Sequence, residues 1–175
     1  ALHGRTREDM YLNTARYSLI KDVKEILNIP VIANGDIDSP EKAQYVLDYT
    51  GADAIMIGRA AQGRPWIFRE IAHYLKTGQH LHAPSIAEVK EVLLGHLTEL
   101  YEFYGEYSGC RISRKHIAWY TKGLRSSNEF RQSMYQVENT ADQYRVVEDY
   151  FNTLLEHGLT MNDVQVEAVN LLQTQ

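Results

Sequence analysis

The side chains best suited to chemistry lie in three short turns, each of which follows a strand-like segment. The turns read HGRT at residues 3–6, NGD at residues 34–36 and GR at residues 58–59. In a parallel sheet or barrel, ligands bind beyond the carboxyl ends of the strands, where the loops lead into helix N-termini. The glycines leave room for backbone N–H groups to approach an anion, and Arg59 adds a forked cationic donor. We therefore predict one anion-binding site formed by the three turns.

Each turn has a simpler explanation when it is taken alone. A glycine after a strand is most often part of a tight turn, and Arg59 could pair with a surface carboxylate. The repetition of the pattern at three successive strand ends favours the binding site. For His3, contact with a ligand and a structural role in its turn are equal alternatives.

Metal and thiol chemistry have little support in the sequence. His80 and His82 have no Cys, Asp or Glu nearby at ligand spacing, so we interpret them as linker residues and predict no metal site. Cys110 is the single cysteine, which excludes an intrachain disulfide and fits a reducing, cytoplasmic setting. We interpret Cys110 as a buried structural thiol.

Basic residues are concentrated in one window of an acidic chain. The net charge is −5, yet residues 111–131 contain six basic residues and one acidic residue, Glu129, and so carry +5. This concentration predicts a local anionic partner. A solvated, charged helix face is the alternative.

Residues 1 to about 78 alternate between strands and helices. The apolar run at residues 30–33 indicates a buried parallel strand, a second short strand is predicted at residues 54–57, and a helix follows each of them. Another helix is predicted over residues 13–27, with an apolar stripe formed by Ile20, Val23, Ile26 and Leu27. This alternation predicts a parallel sheet with helices against it.

The second half of the chain is predicted to be helical. A capping box at residues 85–88 starts a helix that ends at Gly105 and Gly109, and its buried face is formed by Ile86, Val89, Leu93, Leu97, Leu100 and Tyr104. The later helices are predicted at residues 112–124, shortly after 128, and at 140–158 with a capping box at 140–143, while 160–175 form a weak helix or a frayed tail. Short loops between helices indicate a small bundle.

The boundary between the halves lies in the polar residues 77–84, which gives two domains at residues 1–80 and 85–175. No apolar run approaches the roughly 20 residues of a membrane helix, and there is no secretory signal. We therefore expect a cytoplasmic protein without membrane contact, although a missing signal carries little weight if the natural N-terminus lies elsewhere.

Four segments closely resemble the C-terminal part of the bacterial tRNA-dihydrouridine synthases, especially their DusB-like branch. They are HGRTRE, IPVIANGDI, TGADAIMIGRAAQGRPWIFREI and GCRISRKHIAWYTKGL, and GRAAQGRPWIF is the most specific part. The similarity reaches about residue 151. It implies an α/β part followed by an all-α part, namely the C-terminal portion of an FMN-binding (β/α)8 TIM barrel and a small helical tRNA-binding bundle.

The resemblance also implies an activity and its residues. In this family NADPH reduces FMN, the flavin passes a hydride to a uridine of tRNA, and a cysteine acts as general acid. The residues that match the FMN-binding positions are Asn34, Gly35, Asp36, Gly58, Arg59 and His3. The residues expected to contact tRNA are Arg5, Arg111, Arg114, Lys115 and Lys122. The basic residues from 111 to 125 are predicted to lie in one helix or at its ends. They cannot all face one side, and a broad face is expected to be shared by Arg111, either Arg114 or Lys115, Lys122 and Arg125.

Part of the family's pattern is missing from this sequence. A (β/α)8 barrel takes about 250 residues, so we expect the chain to be a fragment with the catalytic cysteine upstream of Ala1. No catalytic residue is assigned within the chain, and the fragment alone is expected to be inactive.

Two other functions remain open from the sequence. One is a non-catalytic tRNA-binding module, and the other is a fragment of a different FMN-dependent barrel oxidoreductase that acts on a small molecule. The basic window argues against the small-molecule enzyme, and retention of flavin would argue against the binding module.

Overall fold

The computed structural model describes residues 1–9 and 14–158. The chain divides into two compact units, Ala1–Leu81 and His82–Gln175. The helix start predicted at residue 13 and the segment predicted over residues 160–175 lie outside the described residues.

The first unit is a three-stranded parallel sheet combined with helices, in the strand order β1-β2-β3. Its elements are β1 (Leu2–His3), α1 (Tyr17–Ile26), β2 (Ile32–Asn34), α2 (Pro40–Thr50), β3 (Ala54–Met56), a short 3-10 helix (Arg59–Ala61) and α3 (Ile67–Thr77). The predicted parallel sheet is thereby confirmed. In the sheet register His3 lies opposite Asn34, and Asn34 lies opposite Met56, so the three strands end in one row.

Helix α1 is shorter than the sequence predicts because the residues before it make other bonds. The backbone N–H of Ala15 donates to Asp36 Oδ2 at 3.0 Å, and that of Arg16 donates to the Gly4 carbonyl at 2.7 Å. The predicted stripe is also wrong at its end, since Ile26 is 78% exposed while Ile20 is fully buried. Six residues turn the helix by about 240° at 3.6 residues per turn, which carries Ile26 away from the core.

The ends of α2 follow from local sequence. The Ser39 side chain accepts the Lys42 N–H at the N-terminus, Pro40 takes the first helical position, and Gly51 ends the helix in the left-handed conformation. The core of this unit is formed by side chains from the sheet, α1, α2 and α3, including Ile20, Val31, Ala33, Val46, Ile67 and Ile71.

The second unit contains α4 (Ile86–Tyr120), α5 (Ser127–Met134) and α6 (Thr140–Glu156). Helix α4 reverses direction at Gly105, whose φ is 72°, and thus has a first arm (86–104) and a second arm (106–120). The arms lie side by side, because His96 Nδ1 is 3.3 Å from the Tyr120 hydroxyl. In a straight helix the same 24-residue separation would span about 36 Å.

The capping box at Ser85 and Glu88 is confirmed, and so is the break at Gly105. Gly109, however, is helical, and the second arm ends at Tyr120 and not at residue 124. Tyr104, predicted to be on the buried face, is 45% exposed where the first arm meets the reversal.

Helix α6 is capped one residue earlier than predicted. The Asn139 side chain accepts the Asp142 N–H at 2.8 Å, so the predicted capping box at residues 140–143 is wrong. Gln143 is instead fully buried, where it accepts hydrogen bonds from the Tyr101 and Ser113 hydroxyls and donates to the Cys110 carbonyl. These bonds join both arms of α4 to α6 within the apolar core of the second unit. No helix in the described part of the chain is long and apolar enough to cross a membrane.

Candidate functional site

The carboxyl ends of the three strands open into one cavity of about 500 Å³. All six residues that match FMN-binding positions line it, together with four neighbours. The lining is His3, Asn34, Gly35, Asp36, Ile37, Asp38, Met56, Gly58, Arg59 and Ala60. The structure thus brings together residues that are up to 57 positions apart in the sequence.

Asp36 connects the three strand ends through its carboxylate. Arg5 Nη1 and Nη2 donate to Asp36 Oδ1 and Oδ2 at 2.7 and 2.6 Å, in a two-pronged ion pair. Arg59 Nη2 also lies 3.2 Å from Oδ1, and the Ala15 N–H donates to Oδ2. The carboxylate therefore joins the turn after β1, the segment before α1 and the turn after β3.

The hydrogen bonds from Arg5 hold the pKa of Asp36 below its usual range, assisted by the Ala15 N–H and by the charge of Arg59. The same hydrogen bonds raise the pKa of Arg5. Asp36 is therefore ionised at neutral pH, and one carboxylate is paired with two guanidinium groups. The two guanidinium groups offset the charge of Asp36 and that of Asp38, the other acidic residue of the cavity lining.

Gly35 is required by both its conformation and its surroundings. Its φ is +131°, and an added Cβ would lie 2.8 Å from Ala15 Cβ. Its carbonyl accepts the buried Tyr17 hydroxyl at 2.7 Å, and burial, with the nearby charge of Asp36, raises the pKa of Tyr17 to about 12. Tyr17 is a site residue that the sequence analysis missed, because nothing in its spacing indicates this contact.

The turn after β3 has the most open space. A Cβ added at Gly58 would have no protein atom within 4 Å, and the Arg59 side chain is 59% exposed. Asn34 on the neighbouring strand donates from Nδ2 to the Met56 carbonyl at 2.7 Å, which fixes the orientation of its amide.

His3 has a structural contact within its own turn. Its Nδ1 accepts the Arg5 N–H at 3.1 Å, so the neutral ring carries its proton on Nε2. The imidazole is exposed and lines the cavity. The structure therefore gives His3 a role in the turn, and contact with a ligand stays a prediction.

Arg5 forms its ion pair within the turns that surround the cavity. Its side chain is only 8% exposed because both of its terminal nitrogens bind Asp36. This geometry offers no support for the predicted tRNA contact of Arg5, and gives the residue a structural role at the strand ends.

The basic residues of the second unit differ in their exposure and partners. Arg111 and Lys115 are exposed on the second arm of α4. Arg114 is half-buried; its Nη2 donates to the Val137 carbonyl at 2.9 Å, and its buried Nε has no partner among the described residues. Lys122 is exposed but lies in the turn after the helix, as does Arg125. The predicted broad helix face is therefore wrong for Lys122 and Arg125, because both follow the end of the helix at Tyr120.

Two of these basic groups lie over aromatic rings. The Arg111 guanidinium carbon is 4.4 Å from the centre of the Tyr107 ring, and Lys115 Nζ is 5.8 Å from that of Trp119. The sequence analysis missed both aromatic residues, although their spacing of four from the cations is a readable signal.

Cys110 is 1% exposed, as predicted for a structural thiol, and burial raises its pKa. His80 Nε2 lies 2.9 Å from Glu41 Oε1, and its ring contacts Tyr74. Within residues 1–9 and 14–158, no cluster of three or more His, Cys, Asp or Glu side chains could bind a metal ion.

Comparison with known proteins identifies the family. A family model described as dihydrouridine synthase (Dus) matches residues 1–156. The chain belongs to the Dus family.

Relatives within the Dus family are similar over most of this chain. The tRNA-dihydrouridine synthase B of Shewanella oneidensis is 57% identical over 157 residues, which cover 90% of this chain and 48% of that protein. The proteins of the same name from Vibrio vulnificus and Pseudomonas aeruginosa are 56% and 54% identical, over 88% and 86% of this chain and 48% and 46% of their own lengths. The chain thus spans about half the length of the curated relatives it matches.

Proposed function

We propose that this chain is the C-terminal part of an FMN-dependent tRNA-dihydrouridine synthase, which reduces a uridine of tRNA to 5,6-dihydrouridine with NADPH. The observation that carries the proposal is the convergence of three strand ends on one cavity in a chain of the Dus family. The curated relatives support the choice of tRNA as substrate, since they are named tRNA-dihydrouridine synthase B. A cytoplasmic location accompanies this choice, because tRNA is modified there.

The parallel strand order supports a barrel as the complete fold. Strands β1 to β3 alternate with helices and share one polar edge, as the last strands of a (β/α)8 barrel would. In such barrels a phosphate commonly binds after strands 7 and 8, near a short extra helix. Here the 3-10 helix Arg59–Ala61 begins three residues after the end of β3.

The residues around the cavity fit the phosphate of FMN. Gly58 leaves space beside the backbone, and Arg59 can turn a partly exposed guanidinium toward an anion. Asp36 acts as a positioning residue, because it neutralises Arg5 and restrains Arg59. Asn34 and His3 line the same cavity and would contact other parts of the cofactor.

Bound FMN would supply hydride transfer, and the described residues would bind and orient it. We assign no general acid within this chain, because the Cys110 thiol is buried in the second unit with a raised pKa. We propose that the acid is a cysteine elsewhere in the whole enzyme, and that these 175 residues alone do not reduce uridine.

The second unit would recognise tRNA. A uridine must leave its stack before its C5–C6 bond can reach a flavin, and a protein can position a folded RNA through phosphates and 2′-hydroxyls without reading sequence. Arg111, Lys115 and Lys122 are exposed in a window of net charge +5, which suits phosphate contact.

Replacement of Arg59 tests the phosphate site. Arg59→Ala should weaken FMN binding by the chain about 10- to 100-fold, the range for a hydrogen bond between charged groups. Binding is measured by quenching of flavin fluorescence. Riboflavin, which lacks the phosphate, should bind the variant and the original protein equally.

Arg69→Ala is the matched control, since Arg69 is exposed on α3 and does not line the cavity. Equal loss of FMN and riboflavin binding in Arg59→Ala would contradict the phosphate contact. Binding of tRNA without any binding of FMN would favour the non-catalytic tRNA-binding module instead.

A further inference from the structure

The second arm of α4 carries two basic side chains flanked by two aromatic ones at a regular interval. Tyr107, Arg111, Lys115 and Trp119 are each separated by four residues, and we name this set the aromatic–basic strip. Residues four apart are neighbours on a helix surface. Each cation lies over the ring at its end of the strip, Arg111 over Tyr107 and Lys115 over Trp119.

The strip is directed to solvent and does not belong to the core. Tyr107 is 68% exposed, Arg111 and Lys115 are exposed, and Trp119 is half-buried beside His116. The core of the same arm is formed by other residues, including Ile117 and Ser113.

The local charge is favourable for an anion. The first cation of the strip, Arg111, is also the first residue of the basic window. Glu106, the nearest acidic residue before it, accepts the Thr140 N–H at 3.3 Å. Arg111 and Lys115 are exposed to solvent beside the rings of Tyr107 and Trp119.

Flat groups and cations in one row suit unpaired nucleotides better than a duplex. Bases of single-stranded RNA stack on aromatic rings and on guanidinium planes, while cations bind the phosphates between them. In a duplex the bases are stacked on each other, so only the phosphates and sugars are accessible. The contact of Arg111 with Tyr107 also aligns the guanidinium plane before RNA arrives.

We propose that the aromatic–basic strip binds an unpaired segment of the RNA substrate. A base stacks on Tyr107 and Arg111, and Lys115 binds an adjacent phosphate. This rests on the proposed tRNA-binding function, and it adds that part of the affinity comes from stacking on unpaired bases.

Binding of three RNAs to the full chain tests the strip. The probes are a tRNA, a single-stranded uridine-rich octamer containing one 2-aminopurine, and a blunt duplex with the same number of phosphates as the octamer. Tyr107→Leu should weaken binding of the octamer and the tRNA about tenfold, the cost of losing one base–aromatic stack. Tyr107→Phe should bind like the original protein, because it keeps the ring, and neither variant should change duplex binding.

The fluorescence of 2-aminopurine gives a readout specific to stacking. It should be quenched on binding to the original protein and to Tyr107→Phe, and much less with Tyr107→Leu. The matched control is Tyr49→Leu in the first unit. Tyr49, at 41% exposure, is likewise an exposed tyrosine with a cation, Lys21, over its ring. This control should leave all three affinities unchanged.

The outcomes distinguish failure of the strip proposal from failure of the proposed tRNA-binding function. Suppose that the original chain binds tRNA. If Tyr107→Leu then binds the octamer as tightly as the original chain does, or loses as much affinity for the duplex as for the octamer, the proposal for the strip is overturned and the tRNA-binding function stands. If the original chain binds neither tRNA nor octamer, both proposals are overturned.

Discussion

Asp36 is the residue that organises the candidate site. It has a φ of +50°, a left-handed conformation that Asp tolerates better than most side chains. Its carboxylate binds Arg5, Arg59 and the Ala15 N–H, which come from three different segments. A single carboxylate thus bonds three segments at the strand ends, and its titration should be visible in stability.

Replacement of Asp36 by Asn should make stability less dependent on pH in the acid range. The pKa of Asp36 is lower in the folded state than the ordinary value of about 3.9. The contribution of the ionised Asp36 carboxylate to the free energy of unfolding is therefore complete above about pH 4. It is lost as the pH falls through the folded-state pKa. Asp36→Asn should cost about 2 kcal/mol at pH 7 and progressively less toward pH 3, as measured by urea unfolding across this range.

Asp53→Asn is the control for this experiment. The Asp53 carboxylate binds Lys24 and the Val31 N–H, which also lower its pKa, but Asp53 does not line the cavity. Its replacement should give a pH effect of the same sign while FMN affinity stays unchanged. A cost of Asp36→Asn that is equal at pH 3 and pH 7 would contradict the ion-pair role.

At the scale of elements, two glycines of α4 have different functions. Gly105 reverses the chain through its positive φ, whereas Gly109 is helical and permits close packing. A Cβ at Gly109 would lie 3.1 Å from Tyr101 Cα and 3.2 Å from the Leu100 carbonyl oxygen. Both are backbone atoms of the first arm and cannot move independently of it.

Gly109→Ala should therefore destabilise the second unit. Alanine favours a helix over glycine by about 1 kcal/mol, but forcing the arms apart typically costs about 1–3 kcal/mol. The expected result is a net loss of about 1 kcal/mol in the free energy of unfolding, measured by urea denaturation.

Gly95→Ala provides the matched control in the same helix. An added Cβ at Gly95 meets no atom within 4 Å, so this variant should gain about 1 kcal/mol from helix propensity alone. A gain of equal size at both positions would exclude the proposed close contact at Gly109.

The sequence predicted the features that depend on neighbouring residues. The Ser85–Glu88 capping box, the Ser39 cap and the helix break at Gly105 all follow from local backbone chemistry. The prediction failed where two neighbouring residues could each cap a helix. Asn139 is the N-cap of α6, whereas the sequence predicted Thr140. Local periodicity could not decide that competition, because Gln143 is held in the core by Tyr101 and Ser113 from α4.

The candidate site likewise has features that the local sequence predicts and others that it does not. The meeting of the three turns could be predicted, because parallel strands share one polar edge. The ion pair between Arg5 and Asp36 spans 31 residues, and the Tyr17 contact depends on how α1 approaches the sheet. Such contacts arise from tertiary packing and leave no periodic signal in the chain.

At the scale of the whole molecule, charge is distributed unequally along the chain. The window at residues 111–131 carries +5 in a chain of net charge −5. Nonspecific attraction to RNA should therefore be weak outside the window, and the salt dependence of tRNA binding should report on a few cations within it.

Lys115→Gln combined with Lys122→Gln should reduce this salt dependence. Each lost phosphate contact lowers the slope of log K against log salt concentration by about 1, so the double variant should lose about 2. Fluorescence anisotropy with labelled tRNA at several salt concentrations gives the slope. Arg114 is unsuitable for this test, because its bond to the Val137 carbonyl contributes to the fold.

Arg145→Gln removes a comparable charge from the same unit outside the window. Its side chain is 68% exposed and pairs with Asp142, and the slope should stay unchanged. An identical slope in the double variant and the original protein would mean that Lys115 and Lys122 make no phosphate contact.

The reversal of α4 at Gly105 also has a consequence for the order of folding. The two arms are joined by a single residue, so bringing them together costs little loop-closure entropy. Contacts such as that of Gly109 with Tyr101 are close in sequence and can form early, whereas α6 must close a longer loop before it packs against them. We therefore expect the paired arms to form first and the rest of the second unit to assemble on them.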